Sequence, residues 1–361
     1  MSRYNRNGLP WASGLGKNIE GVKTSREAME EAGLNFIVKK CELVAKMPFT
    51  INGNNSLNEE DGDFAYKGHI YRDLPNTYAT YRTDMNVPLG LVKQKYEVVQ
   101  NMDAFTFFDD AIGENKAIWT RAGYFGLGHK IFLTAKLPIE TTVNGDKIDN
   151  YLVFSNSHDG TSSVDILFSP IRVICINILN SAFDSSSSHI RLKHTKNVNE
   201  RIQEGSRILR IACEHAKTAE QLYQSLTTIK MNDDAVMQYI AKLVLTDTEQ
   251  NTLFELAGRQ TDELDKIYRR LFAVDFLTME RAKISTRKAN QLKQIFEYYL
   301  DGIGQQNITG TAWGAYNAIT GFYSNVANLE GEKRMDSLLY GSANRNMNRA
   351  LVLTNEFAEA V

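Results

Sequence analysis

The sequence predicts an α+β protein: an N-terminal, mostly antiparallel sheet with helices packed on it, followed by a helical C-terminal region. Three observations predict it. Between residues 35 and 169 apolar side chains recur with the two-residue period of half-buried strands, broken by short turn signals. From Asn197 onward they recur at three and four residues, the period of one helix face. All 6 prolines lie at or before Pro170, leaving the second half free of helix breakers. The expected organisation is a loosely ordered arm over 1–34, a sheet core with hairpins and a buried helix over 35–196, and a helical region over 197–361.

The elements follow in order. Residues 11–17 are turn-rich, 24–32 fit a short acidic helix, and positive charge dominates up to Arg26, with Arg3, Arg6, Lys17 and Lys23 against Glu20. Strands are expected at 36–46, 66–71, 77–82 and 95–99, with a polar loop over 52–62. Residues 101–112 read as a helix capped by Asn101, with Phe105 and Phe108 inward. Strands at 117–122 and 130–137 lead to an Asn144-Gly145 hairpin turn. A strand at 151–156 then meets Asp159-Gly160, a second tight turn whose two positions both call for positive φ. Beyond it Val164, Ile166 and Phe168 alternate with Ser163, Asp165 and Leu167. Ser169-Pro170 reads as an N-cap and first helical residue, opening a buried helix over 171–183, although its β-branched content leaves a strand open. Asn197 with Glu200 resembles a capping box, and Ile202, Leu209, Ala212, Ala216, Ala219, Tyr223 and Leu226 mark a long amphipathic helix. Further helices are expected at 233–245, 248–256, 262–272, 281–300 and 311–328. Sheet edges opened at Phe36 and Tyr78, and the small residues Gly314, Ala315 and Ala318, point to a homo-oligomer, with a ring as its closed form.

Charge is near balance, 41 Lys+Arg against 43 Asp+Glu, so no global field argues for a polyanion. Locally it segregates. Residues 266–296 hold eight basic side chains against Asp275 and Glu280, and 189–217 hold seven against Glu200, Glu204 and Glu214. The 3 cysteines, Cys41, Cys175 and Cys213, are odd in number and widely spaced, which fits free thiols in a reducing compartment. The N-terminus lacks an apolar signal region and no apolar run approaches membrane-spanning length, so a cytoplasmic protein without a membrane partner is expected.

Several motifs carry a resemblance. Ser155-Asn-Ser-His-Asp-Gly-Thr161, Ser169-Pro-Ile-Arg-Val-Ile-Cys-Ile-Asn177, Ile190-Arg-Leu-Lys-His-Thr195, Tyr96-Glu-Val-Val-Gln-Asn101 and Thr311-Ala-Trp-Gly-Ala-Tyr-Asn-Ala318 stand in an order that resembles an uncharacterised phage/plasmid-like protein family, over residues 35–330. The resemblance implies a setting in phages, conjugative plasmids or laterally transferred islands, and supplies no established activity. That family follows its cysteine-x-asparagine with threonine where this chain has Ile178, which favours packing over hydroxyl chemistry at that position.

Catalytic machinery is not visible in the sequence: there is no nucleophile elbow, Walker motif, paired zinc cysteines or carboxylate cluster, and no cofactor or metal is expected. His158-Asp159 lacks the further ligands a metal site needs, since His69, His129, His189, His194 and His215 are scattered. The glycine-rich stretch 123–130 leads into a strand, not a helix N-terminus, yet groups Tyr124, Phe125, His129 and Lys130 at one turn, as base-stacking platforms do. Trp313, Tyr316 and Tyr323 form a stripe of core spacing. Arg191, Lys193 and Lys196 sit beside the tetraserine 185–188, and Arg281, Lys283, Arg287 and Lys288 on one expected helix. With Lys130, these seven are the expected phosphate contacts of a DNA-binding protein acting on single strands, in binding or annealing during recombination or establishment. The hairpin-plus-helix order is also similar to single-strand annealing recombinases, which assemble into rings. His158, Asp159, Gly160, Arg172 and Asn177 are expected to serve structure. Two alternatives stand beside this: a phosphoester hydrolase using His158, Asp159 and Arg172, and a protein-binding inhibitor of host defence.

Overall fold

A computed structural model of the chain describes residues 16–48, 57, 63–112, 118–172, 177–178, 189–203, 205–327 and 329–359. Antiparallel sheets with their helices fill the first half and helices the second, an α+β architecture. From residue 16 the expected loose arm is packed. The two-residue strand β1 (Lys17–Asn18) pairs with a strand of the larger sheet, and α1 (Ser25–Glu31), capped by Thr24, buries Ala28 and Met29. Residues 1–15 lie outside the described residues.

Two sheets form where one was expected. The smaller has β2 (Val38–Pro48), β3 (Phe64–Tyr66), β4 (His69–Arg82) and β5 (Val87–Lys93), with β4 as its centre. Tyr78, expected at an edge, is therefore mid-sheet. Phe36 is buried, with the Arg82 guanidinium 3.9 Å over its ring. The strand expected at 95–99 is instead β5, since the backbone after it turns to side chains: Lys40 Nζ donates to the carbonyls of Gln94 (3.1 Å) and Tyr96 (2.8 Å). Helix α2 (Asn101–Ile112) packs Phe105 and Phe108 against Trp119, as its spacing required. Its N-terminus is not closed by the Asn101 side chain; Asp103 accepts from the Gln100 amide at 2.9 Å.

The larger sheet runs β1, β6 (Ile118–Phe125), β7 (Lys130–Val143), β8 (Asp146–Ser157), β9 (Val164–Arg172), with β10 (Asn177–Ile178) and β11 (His189–Leu192) both on the far edge of β9. Asn144 and Gly145 adopt φ of 48° and 83°, the expected tight turn between β7 and β8. Both faces of this sheet are buried. Ile131, Leu133, Leu152, Phe154, Ile166 and Phe168 join the main core, while Phe132, Tyr151, Val153, Leu167 and Ile171 pack on a second core with Met335, Leu338, Leu339 and Met347. Every residue of β9 is buried. That double burial extends the strand through Ser169-Pro170 to Arg172, where a helix start was expected. Among the described residues Pro170 has no partner on that far edge, where β11 pairs with residues up to Leu167 and β10 with Ile171 and Arg172, which is how its missing N–H is accommodated. Asn177 and Ile178 are strand residues; 173–176 and 179–188, the rest of the expected helix and the tetraserine, lie outside the described residues.

The helical half comprises α3 (Val198–Gln203), α4 (Gly205–Thr228), α5 (Asp233–Val244), α6 (Asp247–Leu256), α7 (Thr261–Phe272), α8 (Phe276–Ala282), α9 (Thr286–Asp301), α10 (Ala312–Gly321) with a π-helical turn Phe322–Val326, α11 (Gly331–Leu339) and α12 (Ser342–Glu359). Trp313 and Tyr316 are core residues, as their spacing indicated, Trp313 lying 4.9 Å from the ring of Tyr223. All of α10 is buried, so Gly314, Ala315 and Ala318 serve internal packing, not self-association. The helix expected at 281–300 is two. Lys283 turns left-handed at φ 55°, and Ser285 caps α9 by accepting from the Lys288 amide. Among the described residues no helix is long and apolar enough to cross a membrane.

Candidate nucleic-acid interface

The loop joining β8 to β9, residues 158–163, is fastened on every side. His158 and Asp159 donate their amides to the His129 carbonyl at 2.7 and 3.2 Å. Thr80 Oγ1 donates to the His158 carbonyl at 2.6 Å, and the Tyr96 hydroxyl to the Ser157 carbonyl at 2.6 Å. Gly160 alone takes positive φ (75°); Asp159 does not, so the expected two-residue turn is a wider loop. Asp159 works as an acceptor, its Oδ1 receiving Ser157 Oγ, the Thr161 amide at 2.9 Å and Thr161 Oγ1 at 2.6 Å. Burial raises its pKa, but these hydrogen bonds prevail and hold the carboxyl below the usual carboxylate range. The loop rests directly on β5: a Cβ at Gly90 would stand 2.3 Å from the Asp159 carbonyl oxygen.

His158 is fully buried. Its Nε2 lies 2.8 Å from Asn101 Oδ1, and Asn101 Nδ2 donates to the Leu34 carbonyl at 2.9 Å. Asn101 Oδ1 is therefore the acceptor and His158 carries its proton on Nε2. A second histidine flanks the loop: His194 stacks on Tyr96 with centroids 4.4 Å apart and donates from Nδ1 to the Glu97 carbonyl at 2.9 Å. The Glu97 amide returns a bond to the His194 carbonyl at 3.1 Å. Burial lowers the pKa of both rings. Three sequence motifs, 96–101, 155–161 and 190–195, thus meet at one place.

Their junction walls an open groove of about 450 Å³. Lys93, Lys95 and Lys193 line it with Thr161, Ser162, Ser163 and Thr195, and among the described residues no carboxylate is in its wall. A second, narrower pocket of about 270 Å³ adjoins it across Ser162, between the larger sheet and α11.

The expected contact residues are distributed unevenly over this surface. Lys193 lines the groove and Lys196 is exposed in the turn beyond β11. Arg191 and Lys130 line the narrower pocket, where Arg191 Nε bonds Asp165 at 2.8 Å and Lys130 Nζ lies 3.4 Å from Glu332 and 3.8 Å from Asp336. Arg281, Lys283, Arg287 and Lys288 stand apart, on α8, the turn after it and α9, whose neighbours are α5, α6, α7, α10 and the π turn. In the wider basic run 266–296, half of the eight cations are answered from outside it: Lys266 by Glu263, Arg269 by Asp234, Lys288 by Glu249 and Lys293 by Glu297. Sequence reasoning passed over Lys93 and Lys95, whose only signal was their adjacency to the 96–101 motif. The hydrolase set does not assemble. Arg172, buried with Asp146 and the Gly304 carbonyl, pairs opposite Ile148, ten residues along β8 from His158, a separation of about 30 Å. Among the described residues no three His, Cys, Asp or Glu side chains converge as a metal site.

Residues 88–352 match the model of a domain of unknown function, DUF932. The chain belongs to that family. No curated protein and no solved structure matches it significantly. The DUF932 match begins in β5 and ends in α12, so it takes in the groove, the loop and the narrower pocket and leaves out β1 to β4.

Proposed function

We propose that this DUF932 protein binds single-stranded DNA, in annealing or strand protection within a mobile genetic element such as a phage or plasmid, and that it does so as a homo-oligomer. One observation carries the binding reading: three lysines and four Ser and Thr side chains line a groove in which no described residue is a carboxylate, at the junction of three motifs distant in sequence. Ammonium groups and hydroxyls are the donors that phosphodiester oxygens accept, and an unopposed cluster of them draws counterion-screened polyanions. Leu91, 68 % exposed on the groove wall, offers apolar contact to bases that are not paired, which favours single strands over duplex. The mobile-element setting rests on the motif resemblance alone.

Fluorescence anisotropy with single-stranded and duplex oligonucleotides across a salt series tests the reading. The wild type binds single strands more tightly, and K93A/K95A/K193A flattens the slope of log K against log salt by about 2, since each single-strand phosphate contact contributes about 0.7. Absence of binding, or an unchanged slope in the triple variant, overturns it.

A further inference from the structure

The narrower pocket differs from the groove in its electrostatics. Among the described residues no carboxylate lines the groove; in the pocket each cation has its counter-charge, Arg191 with Asp165 and Lys130 with Glu332 and Asp336. A phosphate entering the pocket would gain little, because its attraction to either cation is offset by a carboxylate a few ångströms away. Beyond these pairs the wall has apolar surface from Phe125, Ile131 and Met335, the Asn156 amide, and the hydroxyls of Ser155, Ser162 and Tyr340, with Ser155 Oγ and Tyr340 OH 3.2 Å apart. Apolar surface beside hydrogen-bonding groups suits an uncharged ring that is apolar on its faces and hydrogen-bonding at its edge.

Position relates the two cavities. Ser162 lines both, Arg191 lines the pocket and Lys193 the groove. Arg191 lies in β11 and Lys193 one residue past its end, both exposed on either side of buried Leu192, so they project to the same side with their Cα atoms about 7 Å apart. A ligand with an anionic backbone in the groove can therefore place an adjoining ring in the pocket. We infer that the pocket receives one unstacked base of the strand whose backbone lies in the groove. The inference rests on the single-strand reading above and adds to it a base site with Tyr340 and Ser155 among its polar groups.

The test compares a thymidine oligonucleotide with a wholly abasic one of equal length, which keeps every phosphate. For the wild type both show the same salt slope, while the abasic strand binds about tenfold more weakly, the order of one lost base–aromatic contact. Tyr340→Phe, checked for an unchanged melting curve, brings the base-bearing strand towards the abasic affinity and leaves the abasic affinity alone. Equal wild-type affinity for both strands removes the base pocket and the Leu91 base contact and leaves the phosphate contacts of the groove standing; no binding of either removes both readings. Free thymidine binding as tightly as the oligonucleotide overturns the strand-linked site in favour of a small-molecule site.

Discussion

His158, a candidate of the hydrolase alternative, is fully buried and hydrogen-bonded in the fold. Its Nε2–H is committed to Asn101, its Nδ1 is buried without a hydrogen-bond partner, and a proton added there would place a charge beside Phe36 and the second histidine. Burial first, and His194 second, pull its pKa down to about 3 from an ordinary 6.5. Between those values the unfolded chain binds a proton that the folded chain refuses, so the contribution to stability is complete above the ordinary value and is lost as pH falls towards the folded one. Melting temperatures measured between pH 7 and pH 5 should drop for the wild type and drop less for His158→Gln; parallel curves would remove His158 as the origin. Asp159 was legible as a turn residue but not as what it is, an acceptor for Ser157 and Thr161. Asp159→Ala should cost about 1 kcal/mol in chemical denaturation, the scale of a hydrogen-bonded group left unpaired near the surface. Gly90→Ala should cost more, about 1–3 kcal/mol, because its methyl would meet the backbone of Asp159 and no flexible side chain can yield. A Gly90→Ala protein as stable as the wild type would mean that the loop is not seated on β5.

At the scale of elements, sequence periodicity worked where only one face is buried and failed where both are. The Asn144-Gly145 hairpin, α2 and most C-terminal helices follow from turn chemistry and apolar spacing. Residues 164–172 alternate between two cores, so an apolar run that ends in Ser-Pro looks like the approach to a buried helix although the register of β8 holds it extended. The segment 281–300 departs from expectation for another reason. A charge count misses Glu249, which is distant in sequence and pairs with Lys288, and the helical pattern hides a cap inside it. Ser285→Ala tests that break: losing the side chain that accepts from the Lys288 amide should destabilise the protein by about 1 kcal/mol. A stability unchanged within error would mean that α8 and α9 are joined as one helix in solution. The groove was legible only in fragments, because Lys93, Lys95 and Lys193 come from β5, the segment after it, and the residue after β11, and no local window contains all three.

For the whole molecule the open question of surface is the smaller sheet. Its far end carries large apolar side chains in water: Val44, Met47, Phe64, Tyr66 and Leu74 are all exposed, and Phe64 stacks on Tyr71 with centroids 4.8 Å apart. This end lies outside the DUF932 match, whereas the groove lies inside it. Clustered apolar residues on a strand surface are a common mark of association, and lysines such as Lys39 and Lys46 along β2 limit it to defined partners. Self-association through this end would leave the groove clear and would set several grooves along one strand, so that linked weak sites add avidity without new contacts. Three lysines per copy would then suffice for a long strand. Light scattering at micromolar protein should give a mass above that of one chain, and Phe64→Lys with Tyr66→Lys should return it to the monomer while leaving the affinity for a short oligonucleotide unchanged. The same double variant should bind a long strand more weakly than the wild type by a factor that grows with strand length. A monomer mass for the wild type, with and without a long oligonucleotide, would confine the protein to single-groove binding and remove the assembly.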